Sequence, residues 1–126
     1  MRIIKAEIKD AFFVHKTMNE FLRDTGCNPL KEADYMKWAQ VLDSDNHRYV
    51  LLMHSRKVVG MIWGRGEGND FLLEGKFLRR AYRGKFKFTK KLFKAKMEIV
   101  KGYVTIKEVR PACVGIGKRK IKGYII

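Results

Sequence analysis

The residues best suited to chemistry lie in one stretch, Leu78-Arg79-Arg80-Ala81-Tyr82-Arg83-Gly84-Lys85-Phe86-Lys87-Phe88-Thr89-Lys90-Lys91-Leu92. It reads as the end of a strand, a turn at Arg83-Gly84 and the opening of a helix. A helix entered this way presents unpaired backbone N–H groups and the positive end of its dipole above the strand end. Lys85 and Lys87 add full charges beside them, which makes the corner a phosphate cradle in chemical terms.

The helix that follows carries a second signal. At 100° per residue, Lys87, Lys90, Lys91, Lys94 and Lys101 share an arc of about 100°. Glu98 is the one carboxylate in this helix, so the lysines repel one another unless an anion lies nearby. Phe88, Leu92, Ala95 and Ile99, with Phe93, Met97 and Val100 beside them, are expected to pack into the core. The chain as a whole has 126 residues and a formal net charge of +15. Residues 1–70 hold 11 basic and 10 acidic side chains, whereas residues 71–126 hold 17 and 3. Charge this one-sided implies a polyanion: nucleic acid, an acidic membrane surface or a phosphate-rich cofactor. If six to ten phosphates were neutralised, affinity would fall on the order of 10³–10⁵-fold between 50 and 200 mM salt.

Other classes are set aside. No apolar run approaches the roughly 18–20 residues of a membrane span, and the first ten residues interleave charged with apolar side chains, unlike a signal peptide. Cys27 and Cys113 form no paired motif, and a reducing compartment with Cys27 as a buried thiol is expected. No metal-ligand spacing links His15, His47 and His54 with the cysteines. Gly64 to Gly68 lacks the full dinucleotide-binding pattern, and Gly117-Lys118-Arg119 lacks the Ser or Thr of a phosphate loop.

The elements that position the cradle follow from periodicity. Ile3 to Ile8 alternates as a strand, and Asp10 is placed to cap a helix that runs to Gly26. Asn28-Pro29 restarts a helix that ends at Asp43-Ser44-Asp45-Asn46. Arg48 to His54 and Val58 to Trp63 form a hairpin through Ser55-Arg56-Lys57, and residues 64–69 read as a turn. Phe71 to Leu78 is a strand, Phe86 to Val100 a helix and Tyr103 to Val109 a strand. After Pro111 a turn at residues 115–120 separates two short strands ending at Ile126. This order predicts one α+β domain over residues 1–126, with a mixed central sheet flanked by helices.

The Tyr82-Arg83-Gly84-Lys85 turn resembles the pyrophosphate-binding motif of the GNAT superfamily of N-acetyltransferases, where Tyr-Arg-Gly-Lys-Gly-x-Gly leads from the fourth strand into the third helix. The element order matches that family over roughly residues 1–109. The resemblance implies a GNAT-like fold and acetyl-CoA as cofactor, held at Arg83, Gly84, Lys85, Phe86, Lys87 and Phe88. Phe86 and Phe88 stand where the family has Gly or Ala, whose lack of bulk lets phosphates approach the backbone. The family's fourth helix, with its Asn and its acid Tyr, has no counterpart, and neither Tyr103 nor Tyr124 sits in that motif. Short acetyltransferase-like chains of this kind resemble those encoded by tailed phages, which implies a cytoplasmic location in the host cell.

Acetyl transfer to an amine requires the nitrogen to be neutral when it attacks, and hence a base near the strand ends. Glu74, mid-strand, and Asp70, four residues earlier on the same face, are the candidate catalytic residues. Two functions are compatible with the residues. The first is an acetyl-CoA-dependent N-acetyltransferase acting on an amine of an acidic partner or small molecule. The second is a catalytically inactive module of the same fold that binds nucleic acid or an acidic protein through Lys87, Lys90, Lys91, Lys94 and Lys101. Tyr82, Phe86, Phe88 and Tyr103 are candidate stacking platforms for bases in that second case. No membrane partner is expected from either function, and an open sheet edge beside the short tail leaves room for a homodimer.

Overall fold

Alternating apolar residues in two strands, His47–His54 and Lys57–Glu67, point Tyr49, Leu51, Met61 and Trp63 to one side and Val50, Leu52 and Ile62 to the other, so the sheet is buried on both faces. The computed structural model describes residues 2–109 and 121–125. Its elements are β1 (Arg2–Lys5), α1 (Ala11–Asp24), α2 (Trp38–Asp43), β2 (His47–His54), β3 (Lys57–Glu67), β4 (Asp70–Leu78), α3 (Phe86–Ile99), β5 (Thr105–Val109) and β6 (Ile121–Ile125). The six strands lie in sequence order, antiparallel at every junction but one. The exception is β4–β5, which is parallel and is connected through α3, the kind of crossover a parallel pair requires. This is the mixed sheet flanked by helices that the sequence predicts.

One face packs on α1 and α2 through Val14, Met18 and Trp38, which meet Tyr49, Leu51, Met61, Trp63 and Phe77. The opposite face packs on α3 through Phe88, Ala95, Ile99 and Val100, which meet Val50, Leu52, Ile62, Phe71 and Leu73. Arg48 closes the end of α3. Its Nη1 donates to the carbonyls of Ile99 and Lys101 at 2.8 Å each, and its guanidinium lies 4.9 Å from the Tyr103 ring centroid. A cation here meets both the orphan carbonyls and the negative end of the helix dipole.

Several boundaries differ from the sequence reading. The first strand ends at Lys5, because residues 8–10 form a 3-10 turn in which the Asp10 carboxylate accepts from the Glu7 amide at 2.9 Å. Asp10 precedes α1 but gives it no side-chain cap. Pro29 does not begin a helix; a 3-10 segment starts at Glu32 and α2 only at Trp38. Gly64 and Gly66 belong to β3, and the turn shrinks to Gly68-Asn69. Glycine is required at Gly64 because a Cβ would strike the Leu72 carbonyl and the Phe71 ring, and at Gly66 because it would strike Tyr103. The hairpin turn is tighter than expected, with Ser55 and Arg56 both at positive φ (50° and 64°), as a two-residue turn between twisted strands demands. Cys27 is disulfide-bonded rather than a buried thiol; the other cysteine, Cys113, lies outside the described residues, as does the expected turn at 115–120. The tail does supply a strand, since β6 pairs with β5 and covers its outer edge. Among the described residues no helix is long and apolar enough to cross a membrane.

Candidate phosphate-binding corner and catalytic strand

Gly84 has φ +76°, and a Cβ built on it would meet nothing within 4 Å, so the corner is open above the backbone. Lys85 is extended and holds the N-cap position of α3, with no side-chain cap. The first bonds of the helix run from the Phe88 and Thr89 amides to the Lys85 carbonyl, each 3.1 Å. The amides of Gly84, Lys85, Phe86 and Lys87 have no backbone acceptor among the described residues. They precede a helix of 14 residues, whose dipole favours an anion at this end.

The two phenylalanines part company. Phe86 is 80% exposed, whereas Phe88 is 6% exposed and packs edge-to-face on Tyr82 and His54, with centroids 4.8 and 5.5 Å away. The Phe88 amide is used within the helix and its ring is in the core, so Phe88 contributes neither to the corner. Arg83 is likewise committed elsewhere. Its amide donates to the Arg80 carbonyl, its Nε to the Leu78 carbonyl at 2.6 Å and its Nη2 to Asp24 at 2.6 Å. The hydrogen bond from Arg83, helped by the Arg83 and Arg80 charges, outweighs desolvation and holds the Asp24 carboxyl below the usual range. Gly84, Lys85, Phe86 and Lys87 remain as the expected cofactor residues with free amides. Beside them, a cleft of about 460 Å³ between α1 and the end of β4 is lined by Arg23, Arg79, Arg80 and Arg83 with Glu20 and Asp24.

β4 is irregular at the residue expected to act as base. Trp63 pairs with Gly75 and Gly64 with Leu73, which leaves Glu74 as the extra residue of a β-bulge. Its carboxylate lies 3.8 Å from Arg65 Nε and is 31% exposed. Tyr49 is buried nearby; burial first, and the Glu74 charge second, push its hydroxyl pKa well up, so it is a neutral donor at any ordinary pH. His47, paired across the strands with Arg65, has a buried Nδ1 without a hydrogen-bond partner among the described residues. Tyr49 and Arg65 escaped the sequence reading because they reach Glu74 only through strand pairing, and His47 because it meets Arg65 only across β2 and β3.

Asp70 sits at the opposite end of β4 from the Gly84 corner. Thr105 Oγ1 donates to it and Lys107 Nζ lies 3.0 Å away. The Thr105 hydrogen bond first, then Lys107, lowers its pKa, so Asp70 is a tied carboxylate joining β4 to β5. The β4–β5 pairing extends only over Asp70–Leu73. From Glu74 to Leu78 the outer edge of β4 has no strand partner among the described residues. Glu108, 17% exposed, meets Lys76 at 3.5 Å and Lys96 at 3.7 Å, which ties β4, β5 and α3 together where the pairing stops. Among the described residues no three His, Cys, Asp or Glu side chains gather as a metal site.

On α3, Lys87, Lys90, Lys91 and Lys94 have no carboxylate within salt-bridge distance among the described residues, while Lys101 pairs with Glu98 at 3.1 Å. The apolar assignment needs one correction. Phe93 and Met97 are 62% and 45% exposed, so they lie outside the core that Val100 does join.

No family model and no curated protein matches the chain. Solved structures do. A possible acetyltransferase from Clostridium difficile 630 superposes with a TM-score of 0.70 over 90% of this chain and 80% of its own, at 18% identity. An aminoglycoside acetyltransferase from an uncultured soil metagenomic sample, in complex with sisomicin, gives 0.70 over 90% and 78% at 13% identity. The PaiA N-acetyltransferase from Thermoplasma acidophilum, in complex with coenzyme A, gives 0.65 over 92% and 81% at 16% identity. With so few residues shared, what is conserved is the path of the backbone, and by that path this chain has the fold of the GNAT N-acetyltransferases.

Proposed function

We propose that the chain transfers an acetyl group from acetyl-CoA to an amine. The observation that carries this reading is the row of four free amides at Gly84, Lys85, Phe86 and Lys87, above an open corner at the positive end of α3. Those amides and the exposed Lys85 and Lys87 side chains would hold the cofactor's pyrophosphate. The unpaired edge of β4 beyond Leu73 offers peptide groups of the kind that pair with an extended, amide-bearing pantetheine arm. Acetyl-CoA supplies the activated thioester. The Glu74 carboxylate takes the proton from the acceptor's ammonium group, directly or through a water, and frees the nitrogen lone pair for attack. As the C–N bond forms the C–S bond breaks, and CoA leaves as its thiol with the proton the nitrogen then gives up. Arg65, 3.8 Å away, orients that carboxylate, and neutral Tyr49 adds a hydroxyl beside it without a competing charge.

A CoA titration followed by thermal shift tests this directly. Gly84→Asp places a carboxylate at the phosphate position and is expected to abolish the shift. Gly84→Asn has the same size and the same tolerance of positive φ, and is expected to keep a measurable one. A wild-type chain whose melting temperature ignores CoA would end the proposal.

A second reading is a catalytically inactive module that binds nucleic acid or an acidic protein through the basic face. It is favoured by Lys87, Lys90, Lys91 and Lys94, which face no carboxylate among the described residues; Lys101 borders them but is paired. It predicts retention on a mixed oligonucleotide at low salt that is lost on changing Lys90, Lys91 and Lys94 to Glu.

A further inference from the structure

A helix packed on a sheet ordinarily turns its polar side to water. α3 does not. Its outermost line consists of Phe86, Phe93 and Met97, which are 80%, 62% and 45% exposed and share an arc of about 40° at 100° per residue. Lys87, Lys90 and Lys94 run along one flank of this ridge with no acidic partner among the described residues, and Lys101, paired with Glu98, extends the row. Among the described residues α3 is the only helix on its face of the sheet, so the ridge is the part of the molecule that protrudes furthest there.

We propose that this face docks on an anionic lipid bilayer, with the ridge at the headgroup–acyl boundary and the lysines among the headgroups. The lysines alone would accept any polyanion; the ridge discriminates. A nucleic acid would neutralise the lysines but leave Met97, which has no ring to stack, against phosphate and water. A second copy of the chain would set one row of lysines against another. A protein partner is disfavoured by composition: protein interfaces are depleted in lysine, and here Lys87, Lys90 and Lys94 run the length of the ridge. A lipid surface supplies negative charge and an apolar phase in one plane, and lysine stems can lie along it with their ammonium groups in the headgroups. Each lysine near such a surface strengthens binding roughly fivefold. The proposal does not require acetyl transfer, and its test rests on Phe93 and Met97 because Phe86 and Lys87 border the Gly84 corner.

The test is co-sedimentation of the full chain with vesicles of phosphatidylcholine alone or with about a third phosphatidylserine. The expected result is binding to the anionic vesicles only, weakened on the order of tenfold or more by Phe93→Ser with Met97→Ser, and similarly by Lys90→Glu with Lys94→Glu. The Phe93 and Met97 pair keeps every charge and lies away from the Gly84 corner, so any CoA-induced thermal shift is unchanged in it, which separates this proposal from the catalytic one. Phe93→Trp should give an emission that moves to shorter wavelength on the anionic vesicles. The proposal is overturned if the chain stays in the supernatant with phosphatidylserine present. It is equally overturned if the Ser variants bind as well as wild type, since charge alone would then account for the binding.

Discussion

Arg79, just past the end of β4, and Glu20 of α1 meet in a two-point ion pair. Nε donates to Oε2 at 2.7 Å and Nη2 to Oε1 at 2.6 Å, between residues 59 positions apart in sequence. With Arg80 and Arg83 on Asp24 at 3.3 and 2.6 Å, this pair ties the approach to the Gly84 corner to the far end of α1. The free amides therefore sit where two carboxylates of another helix hold them. Both side chains are about two-thirds or more buried, at 30% and 27% exposed, and the fork geometry is that of a strong charge-assisted bond. Glu20→Gln is expected to cost about 1.5 kcal/mol in urea unfolding. A double-mutant cycle with Arg79→Met should return a coupling of similar size, and additive losses would show that the pair is incidental.

Arg48 does the corresponding work at the other end of α3. Arg48→Met keeps most of the side chain's length but leaves the Ile99 and Lys101 carbonyls without their donor. A loss of about 2 kcal/mol is expected, seen as a drop of roughly 5–10 °C in melting temperature. A change within a degree would remove Arg48 from the account of what holds the helix.

Acid sensitivity follows from Asp24 and Asp70, whose pKa values are both lowered from 3.8 in the folded state. A depressed pKa means that the folded chain holds these protons less tightly than the unfolded chain. The stabilisation is thus complete above the unfolded value and lost as pH falls through the lower folded one. Melting temperature should decline on acidification below about pH 4, and the decline should be shallower in Asp24→Asn and Asp70→Asn. Parallel acid limbs in wild type and variants would contradict this.

The proposed acetyl transfer assigns different roles to the two carboxylates of β4. Glu74→Gln should lower kcat/KM on the order of 10²–10³-fold for a good amine acceptor. The deficit should shrink as pH rises, because an amine that is already neutral needs no base. Asp70, bound by Thr105 and Lys107, is a structural carboxylate in this account. Asp70→Asn should therefore leave kcat within a few-fold at neutral pH, and an equal collapse in both variants would remove the distinction between them.

The glycines of β3 show how a correct signal can be misassigned. Gly64, Gly66 and Gly68 together read as a turn, and only Gly68, at φ +61°, serves one. The other two are glycine because Leu72, Phe71 and Tyr103 crowd against the strand, partners that no window of β3 contains. Likewise Phe86 and Phe88 are alike as sequence, yet one is solvent-facing and the other fills the core between Tyr82 and His54.

Local pattern was enough for the order of elements, for the mixed sheet and for the strand–turn–helix corner at Gly84. Apolar periodicity and a glycine at positive φ express themselves within about ten residues. The charge asymmetry was equally plain, since counting needs no coordinates. Tertiary structure decided the rest: Glu74 at a bulge beside Tyr49 and Arg65, Arg83 turned away onto Asp24, Asp70 tied to β5, and an apolar line facing outward along α3. Each of these depends on strand register or on which face of an element meets its neighbour. Such choices are made by contacts between distant residues, and the one-dimensional pattern of the chain does not carry them.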